Sequence, residues 1–287
     1  MFGESKKELS SLLEMVKEVA LRAFRGGAAE DRLDRVVREE PLEIQVNDRS
    51  IAVLMRTPGD DHDLVCGFLL TEQVVRRWED IRSVRYCTQV SHPEALDNVM
   101  RVLLKPEVVL DMSRLSRHFF GSSSCGVCGK ATLEQLRLVA DPVRDGVTIT
   151  QDVLCQMMGK LESTQKAFKA TGGLHGAALF SREGEHWVTR EDVGRHNAVD
   201  KVIGWSWRSR EGQSEDGVLV VSGRVSFEIV QKALMARISI IVAVSAPSSL
   251  AIETAAAYNI TLVGFVRGES FNLYCGGHRI IERSLLC

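Results

Sequence analysis

Residues 217–267 read GVLVVSGRVSFEIVQKALMARISIIVAVSAPSSLAIETAAAYNITLVGFVR. Three apolar runs of strand length, GVLVVSG, ISIIVAVS and TLVGFVRG, alternate with two amphipathic segments, SFEIVQKALMAR and SLAIETAAAYN. Continuous apolar strands separated by helices predict a parallel sheet covered on both faces. In such a sheet the loops leaving the carboxyl ends of adjacent strands converge, and that edge is where ligands bind. The loops here are SGRVS (222–226), SAPSS (245–249) and VRGES (266–270), all small and hydroxyl-rich, and two of them carry an arginine, Arg224 and Arg267. They suit an anionic ligand, most simply a phosphate or pyrophosphate. Taken singly, each loop is equally well explained as ordinary turn and cap chemistry.

Upstream, VTITQDVLCQMMGKLESTQKAFKATGG (147–173) predicts a helix stopped by a glycine pair. LHGAALF and HWVTRED pair across SREGE, and RHNAVDKVIGWSWR returns to helix. Earlier still, LEIQVNDRSIAVLMRTPG (42–59) predicts a hairpin turning at Asn47 and Asp48, followed by a helix in DDHDLVCGFLLTEQVV and strands in IRSVRYCTQV and NVMRVLLK. The start, MFGESKKELSSLLEMVKEVALRAF, has Leu9, Leu12, Leu13, Val16, Val19 and Ala20 on one side of an expected amphipathic helix, with a charged connector, RGGAAEDRLDRVVREEP, behind it. The expected organisation is a helix and connector over 1–40, a small α+β domain over 41–120, a cysteine loop and linking helix over 121–145, and an α/β ligand-binding domain over 146–287.

The 287 residues are 45% apolar, enough to bury a real core. A net charge of −2 provides no global basic field, so nucleic acid is not the default partner. Glu4, Glu8 and Glu14 fall where a signal peptide would need its apolar core, and no run approaches the roughly 18 apolar residues of a membrane span. The expectation is a cytoplasmic protein, away from membranes, whose seven cysteines are mostly reduced thiols.

The chemistry is carried by GSSSCGVCGK (121–130), with Cys125 and Cys128 among glycines and serines and a helix, ATLEQLRLVA, predicted just beyond Lys130. A helix N-terminus and a cationic neighbour both favour thiolate, and an exposed thiolate can accept a sulfur atom, hold it as a persulfide and present it elsewhere. Competing readings are a structural zinc site that borrows Cys275 and His278 to make a Cys3His set, a redox pair, and inert loop cysteines. His175 and His196 sit near glycines but are read as structural, with Asp192 and Asn197 as candidate caps. The acidic DDHD at 60–63 is read as helix-N-terminal carboxylates rather than a metal cluster.

SSCGVCGK, GGLHGAALF, EDVGRHNAVDKVIG, SGRVSFEIVQKA, SAPSSLAIETA and GFVRGESFNLY, in this order, resemble the formate dehydrogenase accessory sulfurtransferases of the FdhD family, over about residues 40–283. The resemblance implies a sulfurtransferase that takes persulfide sulfur from a cysteine desulfurase and passes it to the molybdenum bis(molybdopterin guanine dinucleotide) cofactor, bound as cargo, so that formate dehydrogenase receives it active. By motif, Cys125 is the persulfide carrier and Cys128 its partner. Phe265, Val266, Arg267, Gly268, Glu269 and Ser270 belong to the cofactor site, with Arg224 joining Arg267 on a pyrophosphate of the guanine nucleotide. No resident metal is implied, and two nucleotide halves suit a homodimer. The family's larger domain is similar to the cytidine deaminase fold, a three-layer sandwich, beside a smaller α+β domain. The deaminase chemistry itself is missing: Gly176 and Ala177 follow His175, with no glutamate, and no proline precedes Cys125. The rival from another class is a cofactor-binding chaperone that does no sulfur chemistry and keeps the Cys3His zinc site.

Overall fold

A computed structural model of the chain describes residues 12–88, 96–108, 110, 140–209 and 214–282. Its first element corrects the sequence reading. After a helical turn at 12–15 the chain forms not a long helix but a hairpin, in which β1 (Val16–Arg25) pairs antiparallel with β2 (Ala28–Val37), from Val16 opposite Val37 to Arg25 opposite Ala28. Gly26 and Gly27 have φ of +56° and +87°, the left-handed values a two-residue hairpin turn requires and that glycine adopts without a Cβ clash. Half-burial falls on Val19, Leu21 and Ala23, a period of two, and the residues expected to be a connector are the return strand. The hairpin is anchored at its foot, where Met15 packs on Ala167 and Leu174.

The next hairpin forms as its sequence predicts: β3 (Glu40–Val46) and β4 (Arg49–Arg56) turn at Asn47 and Asp48, both with positive φ. Then follow α1 (Asp61–Thr71), β5 (Ile81–Tyr86) and β6 (Val99–Leu104), and the four strands make a sheet in the order β4-β3-β6-β5, with β3 and β6 parallel. Leu42, Ile44, Met100 and Val102 from the sheet and Leu64, Val65, Phe68 and Leu69 from α1 form one core.

After the short β7 (Ile149–Thr150) comes α2 (Gln151–Thr164), capped by the Thr150 hydroxyl, which accepts from the Val153 amide. A single helix running to the glycine pair at 172–173 was the sequence expectation; instead the chain breaks at Gln165 and restarts as α3 (Lys166–Thr171). The break has a tertiary cause. The buried Glu191 carboxylate accepts from the Ala167 and Phe168 amides at 2.9 and 2.7 Å, supplying the N-terminal acceptors that α3 otherwise lacks. Gly172, at φ +69°, ends the segment.

The larger sheet is built from β8 (His175–Ser181), β9 (His186–Asp192), β10 (Gly217–Val221), β11 (Ile240–Ala243), β12 (Thr261–Arg267) and β13 (Ser270–Cys275), in the order β13-β12-β11-β10-β8-β9. It is mixed rather than parallel. Parallel pairing in this sheet joins β10, β11 and β12, while β8, β9 and β13 are joined antiparallel to their neighbours. The helices α4 (Arg195–Ser209), α5 (Phe227–Met235) and α6 (Ser249–Ala257) share one core with the sheet, contributing Ala198, Val202, Ile229, Ala233 and Ala251. Leu154, Met157, Met158 and Leu161 of α2 cover the other face, against Phe180, Val220 and Val242. The result is a three-layer α/β/α unit, with β14 (Ile280–Ile281) returning to pair with β7.

Helices α1 and α4 join the two units at a crossing set by glycine. A Cβ at Gly67 would stand 1.9 Å from the Asp200 carbonyl oxygen, and one at Gly204 1.9 Å from that of Asp63. Neither position accepts any side chain while the helices stay where they are. The DDHD carboxylates, read from sequence as charges answering a helix N-terminus, are paired with arginines: Asp61 accepts from Arg56 at 2.8 Å within the small unit, and Asp63 closes the junction by accepting from Arg190 and Arg208 at 2.8 and 2.7 Å.

Candidate functional site

The three loops predicted to converge do so through backbone hydrogen bonds. The Val225 amide donates to the Ala246 carbonyl and the Ser248 amide to that of Val225, while the Phe265 amide donates to the Ser245 carbonyl. A Cβ on Gly264 would lie 3.0 Å from the Ser245 oxygen, so a small residue is needed where β12 meets the second loop. Two of the loops lead into helices, at Ser226 and at Ser248, whose hydroxyl caps α6 by accepting from Ala251. The third does not. After Arg267 the chain turns through Gly268, at φ +56°, and returns as β13, a strand the sequence reading left unassigned.

The register slips between Gly264 and Arg267, placing one extra residue on β12, and the bulge contains Phe265 at φ +55°. A phenylalanine in the left-handed region costs on the order of 1–3 kcal/mol, and such strain collects at ligand sites. The residue is 38% exposed at the edge. Val266 turns inward and is buried, while Arg267, Gly268, Glu269 and Ser270 are exposed. Gly268 and Glu269 also border a 350 Å3 hollow with Gln151, Asp152, Cys155 and Gln156 at the start of α2. Burial first, and then the Glu269 charge, push the Cys155 thiol above its usual range, the opposite of an activated thiolate.

At the other end of the edge the structure assembles residues that sequence reasoning had kept apart. His175 begins β8, Asp192 ends β9, Arg195 opens α4, and Arg224 follows β10. The Ser222 hydroxyl accepts from the Gly176 amide at 2.8 Å, tying β8 to the first loop. Burial, followed by the charges of Arg195 and Arg224, holds His175 below its ordinary pKa, with Asp192 opposing. His196, 3.3 Å from the Ser226 hydroxyl, is driven down to about 4 by burial, Arg195 and Lys232. Neither expected cap accepts from an α4 amide: Asp192 accepts from the Gly194 amide, ahead of the helix, and from the Asn197 side chain while pairing with the fully buried Lys201 at 2.9 Å, and Asn197, inside the helix, also donates to the Met55 carbonyl. Arg195 is the residue missed by the sequence reading. Its signal was present, a third arginine next to the single glycine of EDVGRHN, but nothing local says that this turn faces SGRVS.

Cys125 and Cys128 lie outside the described residues, as does the helix expected after Lys130. The half of the zinc alternative that is described is committed elsewhere. The Cys275 thiol donates to the Ile260 carbonyl at 3.2 Å, with burial raising its pKa, and His278 Nε2 lies 3.1 Å from the Asp145 carboxylate. Cys275 also sits beside Leu262, at the end of β12 opposite Arg267. Among the described residues no group of three or more His, Cys, Asp or Glu side chains is arranged to hold a metal ion, and no helix is long and apolar enough to cross a membrane.

Fold and edge together define a class: a three-layer α/β protein with a small α+β unit locked against it by a helix crossing, and a sheet edge carrying arginines. Within that class the chain belongs to the FdhD/NarQ family, whose model matches residues 37–281. It is 48% identical over 252 residues to the sulfur carrier protein FdhD of Nocardia farcinica, covering 87% of this chain and 89% of that one. It is 49% identical over 255 residues to the sulfur carrier protein FdhD of Mycobacterium tuberculosis, covering 87% and 92%. A crystal structure from Desulfotalea psychrophila, of a protein described as a formate dehydrogenase accessory protein, matches with a TM-score of 0.75 and 26% identity over 93% of this chain and all of that one.

Proposed function

We propose that this protein is a cytoplasmic sulfur carrier that moves sulfur from a cysteine desulfurase to the molybdenum bis(molybdopterin guanine dinucleotide) cofactor, making formate dehydrogenase active. Family membership supports sulfur transfer for formate dehydrogenase. The single observation that carries the cofactor reading is the convergence of the Arg224 and Arg267 loops, with the strained, exposed Phe265 between them, on one sheet edge. Arg224 would hold the pyrophosphate, Arg267 would meet the nucleotide farther along the edge, and the Phe265 ring would stack on the guanine. A symmetric homodimer would present one such site to each nucleotide half. The likeness of the larger unit to cytidine deaminases belongs to this reading and is supported by its helix-covered mixed sheet.

The transfer balances in two stages. The Cys125 thiolate attacks the terminal sulfur of the desulfurase persulfide; that S–S bond breaks, the desulfurase departs as thiolate, and Cys125 holds the sulfur as a persulfide without net oxidation. The Cys128 thiolate then attacks the Cys125 sulfur, the outer sulfur leaves as sulfide to the molybdenum, and the two electrons it carries are those given up in forming the Cys125–Cys128 disulfide. A cellular dithiol restores the pair.

Incubation with a cysteine desulfurase and cysteine tests this directly. A peptide containing Cys125 should gain the mass of one sulfur, and Cys125→Ala should abolish both the adduct and activation of formate dehydrogenase. Desulfurase turnover without any adduct would overturn the carrier role. About one zinc per chain, lost in Cys125→Ala, would favour the chaperone with a structural zinc site instead.

A further inference from the structure

We propose that His175, Arg195 and Arg224 form a diphosphate-binding subsite in which the imidazole takes a proton from solvent as the anion arrives. The inference rests on the reading of this edge as a nucleotide site and says which groups hold the charge there.

Three segments far apart in sequence meet at Gly223. A Cβ there would lie 3.3 Å from His175 Nδ1 and 3.8 Å from the Arg195 Cβ, so the loop backbone passes directly against the imidazole, and Arg224 follows at once. Elsewhere the guanidinium groups near carboxylates are spent: Arg56 on Asp61, Arg190 and Arg208 on Asp63. Here they are not. Arg195 Nε is buried without a hydrogen-bond partner, and the exposed Arg224 makes no ion pair with any described residue. A buried N–H with no acceptor is costly, and a ligand oxygen is one way to satisfy it.

The charged groups acting on His175 are Arg195 from α4, Arg224 from the loop after β10, and Asp192 from β9. Asp192 cannot neutralise the arginines, because its oxygens are taken by Lys201, the Thr57 and Gly194 amides and the Asn197 side chain. Glu228 acts on Arg195, which leaves Arg224 to keep the ligand-free cluster cationic; burial first, and then the two arginines, hold His175 below its ordinary pKa. A diphosphate reverses the local field. Protonation then becomes favourable, and imidazolium adds a donor to the guanidinium set. The subsite lies about three strand spacings, roughly 14 Å, from the end of β12 that carries Arg267. Arg224 therefore works with Arg195 and His175 rather than as a close pair with Arg267.

Histidine proton resonances, with His175→Asn for assignment, should be followed against pH without ligand, with saturating inorganic pyrophosphate, and with saturating guanosine diphosphate. Pyrophosphate should raise the His175 midpoint, and its affinity should fall about tenfold or more in both Arg195→Gln and Arg224→Gln. Unchanged thermal unfolding would show that each variant is folded, and the exposed Arg224 supplies a readout if Arg195→Gln is not. No pyrophosphate binding, an unmoved His175 midpoint at saturation, or unchanged affinity in the folded variants would overturn the subsite. If pyrophosphate binds and shifts His175 while guanosine diphosphate does not bind, the subsite stands and the nucleotide reading falls. If guanosine diphosphate binds with His175 unmoved and with no loss in Arg224→Gln, the nucleotide reading stands and the subsite falls.

Discussion

The junction between the two units and the carboxyl edge of the large sheet are both rich in charge, and they use it in opposite ways. At the junction every prominent charge has a partner: Asp192 with Lys201, Asp200 with Lys232 at 2.8 Å, Asp61 with Arg56, and Asp63 with Arg190 and Arg208. Lys232 also reaches Glu72 and Thr71 on the small unit, and burial raises the Asp200 carboxyl to about 6, so near neutral pH it meets Lys232 as a carboxylate. At the edge, Arg195, Arg224 and Arg267 make no ion pair with any described residue, burial and then two of these arginines hold His175 below its ordinary pKa, and Phe265 carries backbone strain. Paired charge at the junction locks two units together; charge without an ion-pair partner and backbone strain at the edge are what the proposed nucleotide site would use.

The contrast can be broken by substitution, and the largest effect should come from the junction. Gly204→Val drives a side chain into the Asp63 carbonyl and should cost about 5 kcal/mol or prevent folding, measured by urea denaturation. Asp192→Ala leaves Lys201 buried and unpaired, and should cost about 3–5 kcal/mol in the same assay. Edge substitutions should behave differently. Arg267→Ala should leave stability within about 0.5 kcal/mol yet weaken guanosine diphosphate binding about tenfold by calorimetry; unchanged affinity would remove the β12–β13 turn from the site. Phe265→Gly relieves the positive φ and should raise stability by up to about 1 kcal/mol while lowering nucleotide affinity. The smallest effect is a pH slope. His196 titrates near 4 in the folded chain and near the ordinary ~6.5 when unfolded, so between these values the unfolded state binds the extra proton. Stability should therefore fall as pH drops from about 6.5 toward 4, with a shallower slope in His196→Asn.

Much of this architecture was legible in local pattern. The alternation of apolar runs and amphipathic segments over 217–267 located β10, α5, β11, α6 and β12, and Asn47 and Asp48 marked the first conventional hairpin. Failures came where a local pattern admits two periods or where the deciding partner is remote. Val16 and Val19 fit a helix by spacing, but the Gly26–Gly27 turn lets β1 pair with a return strand that looked like a linker. The split between α2 and α3 depends on a carboxylate from Glu191, on a strand beyond the break.

Local order along the chain set the strand and helix alternation, the three small loops at the carboxyl edge of the large sheet, the cysteine pair and the family, because each is written in residues close together. Tertiary structure alone decided that the sheet is mixed, that glycines set the α1–α4 crossing, and that Arg195 joins His175 and Arg224. These depend on register and packing between segments tens of residues apart, and neither has a signature in the local order of side chains.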